Sequence, residues 1–427
     1  MTAAGEALSR TLLLTRDYLP RDRVSDRKIL GRLQSTEVCL VANRENLLSG
    51  SGQSAVIGLA GQLLMMGMTV KVVLPEVNLV APQPPMTSLA LRTGLVELGT
   101  NVVPGASVRV VTAAEAGDLV FVFGDTPWRG PSEFAWRVFG GGWEGGISPV
   151  KESAPRWQGE FPVGALAAAT IAAAEPYKAA LRPLFFSEFL RAVSRATGSF
   201  GPGEVLRGPI RLGHLDLVSG GAITQAMLHV LLRVPALRGA IRVFEPDVLD
   251  ISNLNRYPLA LVSNLRLQKA KLLSRWGSPN ITIRPDTRRF TKKLADGERL
   301  APLIAVGADH IPTRWVAQGV QPAWLGIGAT SHFNSVVSDH LPGEACAGCL
   351  HPEGDDDPSV VPTIGFVSYW AGLALASKLL RYLTGHRAAA SEQVLRISGL
   401  LLDGAYTFHP HPLRRNPQCP VVQRLCA

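Results

Sequence analysis

Two acids, an amide, two cations and a third acid follow one another through the second half of this chain: Glu245 and Asp247, Asn253, Arg256 and Lys269, and finally Asp309. Their types fit nucleotide chemistry. Acids that close the apolar run Val243-Phe244 stand where a carboxylate accepts hydrogen bonds from ribose hydroxyls. Arginine and lysine further along can neutralise the charge that a triphosphate gathers in its transition state. Asp309, placed after the apolar run Leu303 to Val306, offers the carboxylate that magnesium combines with phosphate oxygens. Upstream, the small residues Ser219-Gly220-Gly221-Ala222 let a backbone turn approach a phosphate at a helix N-terminus. Each signal has an ordinary alternative: a plain strand-to-helix turn for the glycines, a solvated helix charge for Lys269, and a helix N-cap ahead of Pro312 for Asp309.

A second group is built from cysteines. Cys346-Ala347-Gly348-Cys349 is a CxxC knuckle, and Cys419 with Cys426 could complete a four-thiolate zinc site. His409 or His411 could replace Cys426 as the fourth ligand, and reduced thiols without metal are the alternative.

These groups need elements to hold them. Leu215 to Val218 reads as a strand, Ile223 to Leu232 as a helix and Ala240 to Phe244 as a second strand. A helix over Ser263 to Trp276 and strands at Ile281, Leu303 and Trp324 continue the alternation, which is the pattern of a parallel sheet covered by helices. The first half follows the same plan: a helix over Asp26 to Gln34, strands at Thr36 to Ala42, Thr69 to Leu74 and Asp118 to Gly124, a glycine-rich hairpin or loop at Gly140 to Gly146, and an alanine-rich helix over Pro162 to Leu181. Turn formers from Arg195 to Gly203 mark the boundary. The expected architecture is α/β, two Rossmann-like doubly wound sheets in tandem, with residues 1–200 and 201–427 as the two halves.

Composition narrows the partners. The net charge of +9 comes from scattered arginines, among them Arg288, Arg289, Arg414 and Arg415, without the basic and aromatic clustering of a nucleic-acid binder. ATP or an acidic protein is the more economical polyanion. No stretch approaches the roughly 20 apolar residues of a membrane span, and the run Ala165 to Ala174 ends at Glu175. A cytoplasmic protein is expected, with no membrane and no nucleic-acid partner, whose five cysteines serve metal or catalysis rather than disulfides.

The ordered set resembles the adenylating enzymes of ubiquitin-like and sulfur-carrier proteins, the ThiF/MoeB and ubiquitin-activating group. The shared pattern is an acidic strand end, Ser252-Asn253-Leu254-Asn255-Arg256, Lys269-Ala270, and Asp309 followed by Arg314. The resemblance implies ATP-dependent adenylation of a carboxyl terminus, with Glu245 on ribose, Asn253, Arg256 and Lys269 on phosphates, and Asp309 on magnesium. It also implies a zinc knuckle, an inactive first half that supports the active one, and an arginine from near the chain start that reaches the active site, with Arg23 or Arg27 in that place. Gly50-Ser51-Gly52 could bind a phosphate, but Leu74-Pro75 stands where an acid would close the next strand, so a structural role is expected there.

The sequence departs from the family at Ser219 and Ala222, where glycines are usual, and at Glu245, where aspartate is usual. Ubiquitin-activating enzymes go on to form a thioester, yet the loop Glu353 to Val361 holds no cysteine. If zinc takes four thiolates, only Cys39 remains, in a strand that reads as core. Either Cys346 or Cys349 is then the nucleophile without zinc, or the thioester step is absent or delegated; the spacing favours zinc. The implied partners are a ubiquitin-like protein and a conjugating enzyme, with the chain forming a homo-oligomer or a pseudo-dimer of its own halves. Adenylation of a sulfur carrier or short peptide is the enzymatic rival. An inactive partner-binding scaffold is another, and a dinucleotide-dependent oxidoreductase is disfavoured by the glycine spacing.

Overall fold

The computed structural model describes residues 2–18, 24–185, 190–202, 208–235, 237–353, 361–387, 389–400 and 408–421. The chain opens with α1 (Ala3–Ala7), α2 (Ser9–Tyr18) and α3 (Asp26–Gln34). It then runs through β1 (Glu37–Val41), α4 (Gly50–Met65), β2 (Thr69–Val73), α5 (Leu91–Gly99), β3 (Ser107–Val110) and β4 (Leu119–Phe123). The hairpin β5 (Ala135–Gly141) and β6 (Glu144–Pro149) leads to α6 (Val163–Leu181) and β7 (Ala196–Ser199). Together the strands make a sheet of order β3-β2-β1-β4-β5-β6-β7. Its first five strands are parallel, and the last two pairings, β5 with β6 and β6 with β7, are antiparallel.

The second sheet repeats this winding. It comprises β8 (Ile210–Val218), α7 (Ala222–Leu231), β9 (Leu237–Phe244), α8 (Lys269–Ser274), β10 (Ile281–Asp286), α9 (Lys292–Gly297), β11 (Leu303–Val306), α10 (Ile311–Gly319), β12 (Trp324–Ser331) and β13 (Asn334–His340), followed by α11 (Ala347–Leu350), α12 (Gly365–Leu383), β14 (Val394–Ser398) and β15 (Phe408–His411). Its order is β10-β9-β8-β11-β12-β13-β14-β15, again parallel through the fifth strand and antiparallel beyond. The fold is thus two Rossmann-like α/β units in tandem.

The physical cause lies in the apolar runs. Central strands such as β4 are buried along their whole length, as a parallel sheet covered on both faces requires. Helices α4, α6 and α12 are buried almost all round, because α4 packs on α6, and α12 packs on both α6 and α7. One continuous hydrophobic core therefore runs through both halves. The helix expected over Ser263 to Trp276 is shorter: Val262–Asn264 is a 3₁₀ turn and regular helix covers only Lys269–Ser274. Arg266, with φ of 72°, breaks the run between them. In both sheets the order reverses beside the first strand, and ligands of such sheets sit at the strands' carboxyl ends at that reversal. In the second sheet this is the gap between β8 and β11.

Candidate active site

At that gap the chain leaves β8 through Ser219, whose φ of 86° is left-handed. Its own hydroxyl offsets the cost, accepting the Gly221 N–H at 3.0 Å and reaching the Glu245 carboxylate at 3.4 Å. This is how serine serves where the family usually has glycine. Glu245 lies beneath the turn, accepting the Gly220 N–H at 2.7 Å and the Asp247 N–H at 2.9 Å. A carboxylate carries about four acceptor positions; Oε2 takes both the Gly220 N–H and the Ser219 hydroxyl, so Oε1, which takes the Asp247 N–H, keeps one for a further donor. A Cβ on Gly220 would meet Glu245 Cγ at 2.9 Å, which explains glycine there. Among the described residues no side chain caps α7, whose N-cap residue is Gly221, and its first turn lines the cleft with the helix dipole directed into it.

The segment after β9 is stiffened from within. Asp250 and Asn253 form a reciprocal cap, with Asp250 accepting the Ser252 N–H at 2.9 Å and Asn253 accepting the Asp250 N–H at 3.0 Å. Arg256 is held by the Ser252 carbonyl at 2.6 Å and Asn255 Oδ1 at 2.7 Å. Asn255 in turn donates to Thr11 Oγ1 at 2.9 Å, tying this loop to α2 of the first half. Lys269, at 7 % exposure, is not a solvated surface charge. It bonds Asp247 at 3.3 Å over the Tyr257 ring. Burial works against the Lys269 ammonium, but Tyr257, Glu245 and Asp247 outweigh it and raise its pKa. Burial lowers the Arg256 pKa, and Arg10 adds to that.

Beyond β11, Asp309 is exposed, and its Oδ1 accepts the His310 N–H at 3.1 Å. His310 rather than Asp309 is the N-cap residue of α10, so the helix-cap alternative is set aside. Arg314 is buried and braces this loop, donating Nε and Nη2 to the Ala308 carbonyl at 3.2 and 2.9 Å. Sequence reasoning left Arg314 without a role of its own, although its place in the family pattern was the signal.

All of these groups line one open cleft of about 840 Å³: Gly221, Glu245, Asp247, Asn253, Arg256, Lys269, Asp309 and Arg314, with Gly220 forming the turn behind Gly221. The first half supplies Arg10, which donates to the Val361 carbonyl at 3.3 Å on the same cleft. The expected Arg27 is exposed on α3 and does not line the cleft, and Arg23 falls outside the described residues. Helix α2 is brought there by the bond from Asn255 to Thr11.

Cys346, Cys349 and Cys419 place their sulfurs within 4.8 Å of one another. The Cys346–Cys349 separation is 3.7 Å and that of Cys346–Cys419 is 3.2 Å. A tetrahedral thiolate site with metal–sulfur bonds of about 2.3 Å sets its sulfurs about 3.8 Å apart, so these residues fit a structural metal. The Asn416 N–H points at Cys349 Sγ at 3.4 Å, as a donor to a thiolate would. Cys426 lies outside the described residues. His409 and His411, on β15, are not part of the cluster. Cys39 is fully buried, and burial with Asp118 nearby pushes its thiol up to about 12.

No family model matches the chain. Over 228 residues, half of this chain and 82% of the relative, it is 24% identical to the SAMP-activating enzyme E1 of Haloferax volcanii. This similarity supports the resemblance to the ThiF/MoeB-type family. A ThiF/MoeB-type reading also accounts for the order in which Glu245, Arg256, Lys269 and Asp309 occur along the chain. A further relative, the uncharacterized protein y4jF of Sinorhizobium fredii, is 28% identical over 151 residues, which are 34% of this chain and only 29% of that protein. Among solved structures, E. coli MccB with ATP superposes with a TM-score of 0.42 at 15% identity, covering 49% of this chain and 66% of that one. PaaA superposes with a TM-score of 0.37 at 12% identity, covering 47% and 64%. No helix among the described residues is long and apolar enough to cross a membrane.

Proposed function

We propose that this chain is an adenylyltransferase that activates the C-terminal carboxylate of a ubiquitin-like protein with ATP. The observation that carries the proposal is the convergence of Arg10, Arg256 and Lys269 with Asp309 on the uncapped N-terminus of α7. Three cations and a helix dipole favour a polyphosphate, and an exposed carboxylate beside them suits its magnesium. In the reaction, a carboxylate oxygen of the partner's terminus attacks the α-phosphorus of ATP. The bond from that phosphorus to the bridging oxygen breaks, pyrophosphate leaves, and an acyl-adenylate remains.

In this account Glu245 takes a ribose hydroxyl on its remaining acceptor position, while Gly220 and Gly221 admit the phosphates to the α7 terminus. Asn253, Arg256 and Lys269 hold the phosphates and stabilise the charge that builds on them, and Asp309 holds magnesium. Residues 201–427 are the half that carries the chemistry and residues 1–200 the half that supports it and lends Arg10, a pseudo-dimer within one chain. Zinc on Cys346, Cys349, Cys419 and Cys426 would be structural, which leaves the thioester step to a conjugating enzyme or absent. The described cysteines are all free thiols, in keeping with a cytoplasmic protein.

The test is ATP–pyrophosphate exchange with small proteins ending in glycine, with Arg256→Ala and Asp309→Ala as controls. Exchange with such a protein that disappears in both variants supports the assignment. Exchange only with a sulfur carrier or a short peptide moves the substrate to the rival class, and no exchange with any of these would leave a binding scaffold.

A further inference from the structure

Helix α10 carries the Asp309 loop at its N-terminus, and it is fastened to the cysteine cluster by three hydrogen bonds and by packing. Gln318 Oε1 accepts the Ala347 N–H at 3.0 Å, and Trp315 Nε1 donates to the His351 carbonyl at 2.9 Å. Trp315 also packs against the small buried cluster that contains the cysteines. The third hydrogen bond is Arg314 Nη1 to His351 Nε2 at 2.9 Å. A guanidinium has donors only, so His351 Nε2 must be the acceptor and the ring proton must sit on Nδ1. His351 follows Cys349 by two residues and closes α11, its N–H bonding the Ala347 carbonyl at 3.0 Å. The other nitrogens of Arg314 both go to the Ala308 carbonyl, the peptide group immediately before Asp309.

We infer that His351 is a positioning residue: through Arg314 it locks the Ala308-Asp309 loop to the cysteine cluster, so the state of the cluster sets how firmly Asp309 is held for magnesium. The function assigned to Asp309 rests on the adenylation reading; the mechanical link rests on the hydrogen bonds alone. A contiguous route, from Cys349 along the backbone to His351 and through part-buried hydrogen bonds to the Ala308 carbonyl, is the physical path for such coupling. Arg314 stripped of its acceptor would keep two bonds to Ala308 but lose the anchor that fixes the guanidinium in place.

Amide hydrogen exchange on the full chain tests the link without any nucleotide. In His351→Ala, exchange at Ala308 to Arg314 is expected to rise by about tenfold or more, the effect of losing a hydrogen bond to a charged group. The strands β8 and β9 should be unchanged, and His351→Gln, which restores an acceptor, should recover most of the protection. Treating the wild-type protein with a chelator should loosen the same residues. Unchanged exchange at Ala308 to Arg314 in His351→Ala overturns the inference, as does loosening that Gln fails to reverse. ATP binding with and without magnesium then separates the two claims. A wild-type chain that binds no nucleotide sinks the adenylation reading while leaving the exchange result standing. A chain whose binding in His351→Ala weakens only when magnesium is present supports both.

Discussion

The two halves are wound alike, yet they treat the same carboxyl edge in opposite ways. Strand β4 runs into Gly124-Asp125-Thr126 as β11 runs into Gly307-Ala308-Asp309. Asp125 is consumed internally: Asn46 Nδ2 donates to it at 2.8 Å and Arg156 at 3.0 Å. Asp309 accepts one N–H from its own neighbour and faces the cleft. After β2, Glu76 turns back to accept the Arg92 and Thr93 N–H groups at 2.8 and 3.2 Å, capping α5, whereas Glu245 after β9 supports the glycine turn. The N-terminus of α4 is closed by Ser49, which accepts the Gly52 N–H at 3.1 Å, and by Gly159, whose carbonyl takes the Ser51 N–H at 3.1 Å. A side chain on Gly50 would already meet Glu160 Oε2 at 2.5 Å, so a phosphate finds an acid there. The lesson is that one winding yields a structural unit when its edge groups satisfy each other and a candidate site when they are left open.

The largest effect that could break this contrast comes from exchanging the aspartates. Asp309→Ala is expected to lower pyrophosphate exchange by about 10²–10³-fold, the scale of losing a group that stabilises transition-state charge. Asp125→Ala should leave exchange within about threefold while costing about 0.5–1.5 kcal/mol of stability in denaturant unfolding, because Asn46 Nδ2 loses one acceptor and keeps Asn43 Oδ1 and Thr126 Oγ1. Loss of exchange in Asp125→Ala would place the chemistry in the wrong half. Next comes the cross-half arginine. Arg10→Ala should weaken ATP use by about 10–100-fold, seen in KM and kcat together, and Arg27→Ala should leave both unchanged. Equal effects would return the role to the α3 segment.

A smaller loss, about tenfold in ATP affinity by calorimetry, is expected for Gly220→Ala, because the new methyl must push Glu245 off the turn. The smallest belongs to the first half alone. Burial pushes the Glu76 carboxyl up, but hydrogen bonds from Arg92 and Thr93 outweigh it and hold its pKa below the ordinary range. A depressed folded pKa gives stability that is present above the unfolded value, about pH 4.3, and is lost as pH falls through the folded one. Glu76→Gln should therefore be less stable near neutrality by about 1 kcal/mol, and the gap should narrow on acidification, with exchange activity unaffected. A gap that widens in acid would mean Glu76 is not the ionised cap.

Much of this was legible in the residues. The alternation of apolar runs with glycine turns gave two wound halves, because buried parallel strands cannot avoid continuous Val, Ile and Leu. The acids and cations of the second half could be ordered along the chain, because each sits directly after a strand or on the helix that follows. What stayed hidden depends on packing between distant segments. Arg10 and Arg27 look alike in sequence, and only the Asn255–Thr11 bond shows which helix meets the cleft. Glu76 was passed over for Leu74-Pro75, since a strand end is uncertain by a residue or two. No sequence motif marks His351, whose ring meets Arg314 from 37 positions away through packing alone.

The central claim is that only the second half takes a nucleotide. Calorimetric titration of the full chain with a non-hydrolysable ATP analogue and magnesium tests it most directly. One nucleotide per chain is expected, retained in Asp125→Ala and lost in Arg256→Ala; two per chain, or one that survives Arg256→Ala and vanishes in Asp125→Ala, would contradict the account.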